Sequence, residues 1–199
     1  MAMTQDNTLI QDLRTFKGTL KELSWDKEHG VSLIDDEQIN HKMYNMDGIA
    51  KQLCRLYGRE KLNSCDGYYV AQNGKSYLVE FKNQNEGNVD SRDIRNKIFD
   101  SISMIVMNED KRRSEICERM NVIVVYNNNK QEEKDGKSYS ASKAMDHFAE
   151  KLASFSGHKG WDTYEKKFRI VEYMNSLVQG IYTVDVRDFE REFVPCLFE

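Results

Sequence analysis

The spacing of apolar residues predicts two helices at the start of the chain. Over residues 4–25, leucines and one phenylalanine recur every three or four positions, which is the period of one helix face. Gly30 interrupts this pattern. A second helix is predicted from about Asp36 to Tyr57, with Gly58 as the glycine that ends it. The residues of its predicted inner face are Ile39, Met43, Met46, Ile49, Leu53 and Leu56.

Residues 64–84 predict a β-hairpin. Their sequence, SCDGYYVAQNGKSYLVEFKNQ, has two apolar runs joined by Asn73-Gly74, a pair that is typical of tight turns between antiparallel strands. Charged residues lie at the strand ends remote from the turn, with Asp66 on the first strand and Glu80 and Lys82 on the second. The hairpin therefore combines a regular strand pattern with a local concentration of charge.

The region after the hairpin predicts a long helix followed by a buried strand. Asp90 or Ser91 can cap the helix, because short polar side chains accept hydrogen bonds from the first turn. The core positions of this helix are Ile94, Ile98, Ile102 and Ile105. Residues 121–127, NVIVVYN, are rich in β-branched side chains and bounded by Asn, which predicts a strand buried on both faces.

The end of the chain predicts a helix, an ambiguous segment, a strand and a last helix. Residues 140–155 predict the first of these, whereas residues 161–180 fit either a helix or a strand. Residues 181–186 alternate as a strand does. Asp188 is predicted to cap a short helix that ends before Pro195.

This order of elements predicts an α/β (α+β) fold, in which a central mixed β-sheet is flanked by helices. A chain of 199 residues suits a single domain spanning residues 1–199. Its predicted regions are an N-terminal helical extension (1–35), a core (36–127), a polar, mobile surface loop (128–139) and a C-terminal helix–strand–helix addition (140–199).

Composition and charge narrow the functional classes. A net charge of −4 argues against a protein that coats nucleic acid by bulk positive charge, but it leaves room for an enzyme with one basic groove. The four cysteines are scattered without a C-x-x-C pair, and no apolar leader follows the first residues, which predicts a reduced, cytoplasmic protein. No window suits a membrane span, and the four histidines lack zinc-site spacing.

The charged residues of the hairpin match the needs of a divalent metal site. Mg²⁺ and Mn²⁺ bind carboxylate and carbonyl oxygens, waters and substrate phosphates. Glu80 and Lys82 are two residues apart on one strand, so both point to the same face, and the Phe81 carbonyl between them is a further candidate ligand. A lysine ammonium beside such a site can orient the attacking water and stabilise charge on the phosphate.

Asp66 reaches this face only if the hairpin is irregular. With a two-residue turn, Asp66 points away from the face of Glu80 and Lys82. A three-residue loop over Asn73–Lys75, or a bulge at Gly67, turns Asp66 to their face. The metal-site hypothesis therefore requires one of these irregularities.

The hairpin resembles a known nuclease motif. Asp66, followed after thirteen residues by Glu80-x-Lys82 on a hairpin between two helices, is similar to the motif of the PD-(D/E)xK, or restriction endonuclease-like, nuclease superfamily. The resemblance covers roughly residues 36–127. It implies a core of a helix, three strands, a helix and a strand, and Mg²⁺-dependent (or Mn²⁺-dependent) hydrolysis of phosphodiester bonds, with DNA favoured over RNA. Homodimers are common among such nucleases, and a homodimer is left open here.

The resemblance also implies residue roles. Asp66 and Glu80 would be metal ligands, Lys82 the catalytic lysine, and Gln84 the glutamine that helps to orient the site. Cys65 stands where the motif has proline. Many members add an acidic residue from the preceding helix, for which the candidates are Glu37 and Asp47.

Positive charge follows the hairpin at the start of the long helix. There, Arg92, Arg95 and Lys97 are candidate nucleic-acid contacts, because helix N–H groups and cationic side chains can meet a phosphate. The same residues also fit an ordinary solvated helix face.

Two other functions remain open alongside a nuclease. One is a noncatalytic module that keeps this fold and binds a protein or a nucleic acid. The other is an unrelated α/β protein in which Glu80 and Lys82 form weak surface ion pairs.

Overall fold

The computed structural model describes residues 16–34, 41–58, 60, 62–85, 88–109, 112–128 and 177–198. In these ranges a mixed six-stranded β-sheet is accompanied by several helices, which confirms the predicted mixed α/β (α+β) class. The strands are β1 (Lys17–Thr19), β2 (Trp25–Asp26), β3 (Val31–Ser32), β4 (Lys42–Asn45), β5 (Gly67–Val70), β6 (Ser76–Lys82), β7 (Met120–Tyr126) and β8 (Gly180–Asp185). The helices are α1 (Leu20–Leu23), α2 (Met46–Tyr57), α3 (Ser91–Asn108), α4 (Arg113–Cys117), α5 (Val186–Asp188) and α6 (Val194–Phe198), with a π-helical turn at Phe189–Phe193.

The six-stranded sheet has the order β1-β4-β5-β6-β7-β8. Neighbours from β1 to β6 pair in the antiparallel direction, whereas β7 is parallel to both β6 and β8. Strands β2 and β3 form a separate small hairpin. The N-terminal segment contributes strand β1 where the sequence predicted a helical extension, whereas β8 confirms the strand predicted over residues 181–186 to within one residue.

The helix predicted over residues 4–25 is wrong where the chain is described. Residues Lys17–Thr19 pair with β4, and only α1 is helical. The Thr19 side chain and Glu22 form a capping box that starts this single turn. Leu20 and Leu23 are both buried by it. The leucines at helical spacing in the described residues are therefore buried by a single helical turn that follows a strand.

The second predicted helix is also shorter than expected. It begins at Met46, because the Asn45 side chain accepts a hydrogen bond of 2.9 Å from the first turn of α2. Met43 belongs to β4, whose pairing with β1 and β5 prevents a helix there. The predicted end is confirmed, since Gly58 has the left-handed conformation at φ 60°. Residues 36–40 of the predicted helix lie outside the described residues.

The hydrophobic core lies on both sides of the sheet. Every residue of β7 is buried, as expected for a strand covered on two faces. One side is packed by α2 and α3, including the four predicted core isoleucines Ile94, Ile98, Ile102 and Ile105. The other side is packed by α1 and by the C-terminal helical segment, including Phe189 and Phe193. Asp90 caps α3, which confirms one of the two predicted caps.

The last helix differs from its prediction at both ends. Its cap is Asp185, whose side chain accepts from the Arg187 N–H at 3.1 Å, and not Asp188. It also continues beyond Pro195, which lies in the first turn of α6 directly after the π-helical turn. The predicted loop beyond residue 128 and the predicted helix over 140–155 lie outside the described residues.

Two further observations concern the described residues alone. None of their helices combines the length and the apolar character needed to cross a membrane. None of the four cysteines, which all fall within these residues, takes part in a disulfide.

Candidate active site

The turn of the β5–β6 hairpin has the extra residue that the metal-site hypothesis required. Ala71 N–H donates to the Lys75 carbonyl at 2.9 Å, so the loop between them has three residues, Gln72–Gly74. Gly74 has φ 79°, a conformation that suits glycine. The predicted three-residue loop is therefore present, shifted by one residue from Asn73–Lys75.

This loop sets which side chains share a face of the sheet. In the resulting register Tyr68 pairs with Leu78, and Glu80 follows two residues later on the same face. Asp66 lies just before β5, where the ladder ends. Its N–H donates to the Val79 carbonyl at 3.1 Å, and its Oδ2 accepts from the Phe81 N–H at 2.6 Å. The Asp66 carboxylate is thereby held against β6, beside Glu80.

The short segment that carries Asp66 is tied to both large helices. The Asp66 carbonyl accepts from the Met46 N–H of α2 at 3.2 Å. The Cys65 N–H donates to Ser101 Oγ of α3 at 2.8 Å, and both residues are buried. The position of Asp66 is thus set by tertiary contacts as well as by the hairpin.

Asp47 joins this group from the first turn of α2. Ser64 Oγ donates to Asp47 Oδ1 at 2.5 Å, and Asp47 lines the same cleft as Asp66. Of the two helix acids considered from the sequence, Asp47 is therefore close to the hairpin carboxylates, and Glu37 lies outside the described residues.

Glu80 is fully buried and is contacted by two lysines. Its Oε1 accepts from Lys97 Nζ at 2.7 Å and from Lys82 Nζ at 3.0 Å. Lys82 Nζ also contacts Asp93 Oδ2 at 2.7 Å. The second carboxylate oxygen, Glu80 Oε2, is buried and has no hydrogen-bond partner among the described residues. Buried polar atoms of this kind are rare, because an unsatisfied group loses its hydration without compensation.

The titration of this cluster follows from burial and charge. Burial, and then the charge of Glu80, raise the pKa of Asp66 well above its ordinary value. Burial, the largest single effect, would lower the pKa of Lys82 and of Lys97, but the charge of Glu80 together with the neighbouring carboxylates and their hydrogen bonds outweighs it and raises the pKa of both. Both lysines are therefore ammonium groups at neutral pH, able to donate hydrogen bonds but not to accept a proton.

A cleft of about 310 Å³ opens beside these residues. Asp47, Asp66 and Lys82 lie on one side of it, and the β2–β3 hairpin, with Trp25 and His29, lies on the other. The Trp25 side chain is half exposed. The cleft therefore exposes Asp47, Asp66 and Lys82 to solvent, whereas the fully buried Glu80 is not among its lining residues.

No family model, curated protein or solved structure matches this chain. The chemistry of the cleft is therefore the basis for a functional proposal.

The β2–β3 hairpin carries its own polar cluster. Asp26, Glu28 and His29 have ligand-type atoms within 4.8 Å of one another. Asp26 Oδ2 contacts His29 Nδ1 at 2.7 Å and accepts from Asn83 Nδ2 at 2.8 Å. Burial would raise the pKa of Asp26, but these hydrogen bonds outweigh it and lower the pKa. The hydrogen bonds within the cluster explain why these three side chains lie close together. The hydrogen bond from Asn83 connects the β2–β3 hairpin to the end of β6.

Four further residues were predicted to belong to the site, and they differ in exposure and in their contacts. Gln84 is exposed and lines the cleft, with its carbonyl accepting from the Asn127 N–H at 3.0 Å. Arg92 is exposed and Arg95 partly buried near the start of α3, and their role in binding nucleic acid stays a prediction. The Lys97 ammonium donates a hydrogen bond to Glu80, whereas the sequence predicted that it would contact a phosphate.

Sequence reasoning missed Asp93 and Lys97 as parts of this cluster. They are four residues apart on α3, so they lie on one face of the helix. Both side chains reach the charged end of β6, Asp93 through Lys82 and Lys97 through Glu80. The sequence signal that could have identified them is a pair of opposite charges four residues apart on a helix, next to isoleucines predicted to be buried.

Proposed function

We propose that this protein is a metal-dependent nuclease of the restriction endonuclease-like type, which hydrolyses phosphodiester bonds and favours DNA over RNA. The observation that carries the proposal is Glu80 Oε2, a buried carboxylate oxygen for which the described part of the chain supplies no hydrogen-bond partner. Glu80 contacts Lys82 Nζ at 3.0 Å, and Lys82 and Asp66 line the cleft, although Glu80 itself is not among its lining residues. Leaving such an oxygen unsatisfied costs free energy, and a cation would remove that cost.

The donor atoms are of the type that hard divalent cations such as Mg²⁺ or Mn²⁺ bind, although among the described residues the group whose ligand atoms lie within 4.8 Å of one another is Asp26, Glu28 and His29. Glu80, Asp66 and Asp47 offer carboxylate oxygens, the ligand type that these ions prefer. The Phe81 N–H points to Asp66, and since the N–H and C=O of one strand residue face the same neighbour, the Phe81 carbonyl points to that side too. A bound cation would supply Lewis acidity at the phosphate and lower the pKa of a bound water.

Of the described residues, Lys82 is the one best placed to act on the substrate. It lines the cleft with 17% of its side chain exposed, between Glu80 and Asp93. As an ammonium group it can donate to a phosphate oxygen or orient a water, and it can stabilise the negative charge that develops on the phosphate. Its raised pKa excludes a role as general base.

The order of elements around the hairpin supports the same proposal. Helix α2, the β5–β6 hairpin, helix α3 and strand β7 follow one another as the resemblance implies, with α3 and α2 packed on one face of the sheet. The resemblance implies three strands between the helices, whereas two are present. Strand β4 precedes α2 and supplies the third strand beside the hairpin.

The cleft also offers a contact for a nucleobase. Trp25 is 50% exposed on its wall, and aromatic faces of this kind stack bases without sequence preference. Substrate would approach along this wall to reach Lys82.

The proposal is tested by Lys82→Ala, assayed with Mg²⁺ and with Mn²⁺ on single-stranded DNA, double-stranded DNA and RNA. We expect cleavage to fall by at least about 100-fold, since a positioned ammonium acts where charge develops. Lys75→Ala is the matched control, because Lys75 is an exposed lysine at the opposite end of the same hairpin. Cleavage by Lys82→Ala equal to that by Lys75→Ala would refute the assignment.

A noncatalytic binding module is the second candidate, and one observation favours it. The two ammonium groups on Glu80 Oε1 already offset its charge, as they would in a purely structural ion cluster. Calorimetric titration with Mn²⁺ separates the two functions, because a structural cluster has no need of a cation. No heat of binding together with no cleavage would favour the module.

A further inference from the structure

We propose that His29 is the general base of the hydrolysis and that Asp26 is the positioning residue that holds it in the required tautomer. The inference rests on the proposed function, which leaves open the side chain that takes a proton from the attacking water. A positioned proton acceptor typically accelerates such a step about 10²–10⁴-fold.

The cleft offers few other candidates for this role. The raised pKa of Lys82 keeps it an ammonium group, which has no lone pair to accept a proton. Asp47 and Asp66 are assigned to the cation. The β2–β3 hairpin contributes the titratable lining residues Asp26, Lys27, Glu28 and His29. Among these side-chain types imidazole is the usual general base, and in model peptides it is more basic than a carboxylate by about two pKa units.

Asp26 determines which nitrogen of the His29 ring carries the proton. Asp26 Oδ2 lies 2.7 Å from His29 Nδ1. Burial would raise the pKa of Asp26, but hydrogen bonds from Asn83, from His29 and from two backbone N–H groups outweigh it and lower the pKa, so the side chain is a carboxylate. A carboxylate only accepts hydrogen bonds, and Nδ1 is therefore the donor. Neutral His29 has its lone pair on Nε2, where it can take up a proton.

The Asp26 carboxylate is itself anchored to the sheet that carries Lys82. Its Oδ1 accepts from the backbone N–H groups of Glu28 and His29, at 2.9 Å and 3.3 Å. Its Oδ2 also accepts from Asn83 Nδ2 at 2.8 Å, and Asn83 is the residue after Lys82. The His29 ring is thus oriented relative to the ammonium group proposed to act on the substrate. Its side chain is 37% exposed, so water can reach it.

The proposed step balances in bonds and protons. His29 Nε2 takes a proton from a water molecule while the oxygen of that water forms a bond to phosphorus. The bond from phosphorus to the leaving sugar oxygen breaks, and this oxygen takes a proton from a second water molecule. His29 then gives its proton to the hydroxide that remains, so that one water is consumed for each bond broken. Lys82 stabilises the negative charge that develops on the phosphate.

The first test is chemical rescue of His29→Ala, measured as the single-turnover cleavage rate with Mn²⁺ on the nucleic acid that the wild type cleaves fastest. We expect the rate to fall by at least about 100-fold, and free imidazole to raise it again by at least about tenfold, because a small base can occupy the space of the missing ring. Val31→Ala is the control, since Val31 is 47% exposed on the same hairpin and does not line the cleft. It should cleave at the wild-type rate, and imidazole should not accelerate it.

Two further measurements define the roles of the pair. A p-nitrophenyl phosphodiester has a leaving group that needs no proton, so a general base remains important for its cleavage whereas a general acid does not. We expect His29→Ala to cleave this ester at least about tenfold more slowly than the wild type. Asp26→Asn should slow nucleic-acid cleavage, and Asp26→Asn/His29→Ala should be no slower than His29→Ala, because Asp26 acts through His29.

Each outcome decides the inference. Cleavage by His29→Ala at the rate of Val31→Ala would overturn it, while the loss in Lys82→Ala still upholds the proposed function. A slow His29→Ala that imidazole does not accelerate would also overturn it, as would unchanged cleavage of the p-nitrophenyl ester. No cleavage by the wild type would overturn it together with the proposed function. If circular dichroism shows that His29→Ala does not fold, His29→Gln takes its place, and cleavage by that variant at the wild-type rate would overturn the inference.

Discussion

Asp66 is held in an environment that disfavours its charge, although the proposed function needs that charge. Burial and the nearby Glu80 carboxylate raise its pKa well above the ordinary value. A free aspartate has a pKa of about 3.9, so above this pH the unfolded chain loses a proton that the folded chain retains. Stability contributed by protonated Asp66 is therefore complete below about pH 4 and is lost as pH rises through the raised pKa.

We expect Asp66→Asn to stabilise the cation-free protein at pH 8, by an amount on the order of 1 kcal/mol. The asparagine carbonyl can still accept from the Phe81 N–H, while the buried charge is removed. Urea unfolding at pH 5 and pH 8 measures the effect, and the gain should be larger at pH 8. With Mn²⁺ present the order should reverse, because only the wild type retains a cation ligand at this position. A variant that is less stable at both pH values without cation would contradict this account.

The β2–β3 hairpin is the element that forms the outer wall of the cleft. Its two strands are short, and its attachment includes the hydrogen bond from Asn83 to Asp26 at 2.8 Å. Trp25 is exposed on this wall. The hairpin is therefore suited to contact the substrate without contributing much to the core.

We expect Trp25→Ala to weaken binding of a single-stranded oligonucleotide by about tenfold, the equivalent of one lost base stack. Binding is measured by fluorescence anisotropy in a Lys82→Ala background, with Mn²⁺ present and without cleavage. Tyr57→Ala is the matched control, because Tyr57 is 53% exposed on α2 and does not line the cleft. Equal loss in the two variants would show that Trp25 makes no specific contact.

The success of sequence reasoning also varied from element to element. Helix α3 and strand β7 were predicted well because α3 repeats its buried isoleucines along one face over its length and every residue of β7 is buried. Strand β4 was missed because Met43 fits a helical spacing, and only pairing with distant strands makes it extended. Local spacing carries no information about such partners.

The candidate site shows the same division. The sequence could state the condition under which Asp66 points to the face of Glu80 and Lys82, namely a loop of three residues in the hairpin. The structure has a loop of that length. The contact of Lys97 with Glu80 could not be stated, since it depends on how α3 crosses β6. The pairing of Ser64 with Asp47 is equally a product of tertiary packing.

At the scale of the whole molecule, the site lies on a sheet whose two outermost strands, β1 and β8, come from the N-terminal and C-terminal described segments. Strand β6 carries Glu80 and Lys82 and pairs with β7, which in turn pairs with β8. The segment after β8 covers the other face of the same sheet. The described C-terminal segment is thus part of the core that supports the site.

This dependence predicts a large effect of Phe193→Ala. Phe193 is fully buried, with its ring 6.0 Å from that of Tyr182 and 6.2 Å from that of Phe189. Removing a buried phenylalanine typically costs about 3–5 kcal/mol, a large share of the roughly 5–15 kcal/mol that stabilises a domain. Phe99→Ala is the control, since Phe99 is 44% exposed on α3 and should cost less than about 1 kcal/mol. Both are measured by urea unfolding followed by circular dichroism.

Mn²⁺ binding should be lost in the same transition as secondary structure, because β6, β7 and β8 form one continuous ladder. A small loss of stability in Phe193→Ala, or two separate transitions, would mean that the C-terminal segment folds apart from the sheet that carries Glu80. A single transition shifted to lower urea concentration would mean that the two faces of the sheet are one cooperative unit. The geometry of the carboxylates would then be maintained by residues far along the chain, and substitutions there would weaken cation binding without touching the cleft.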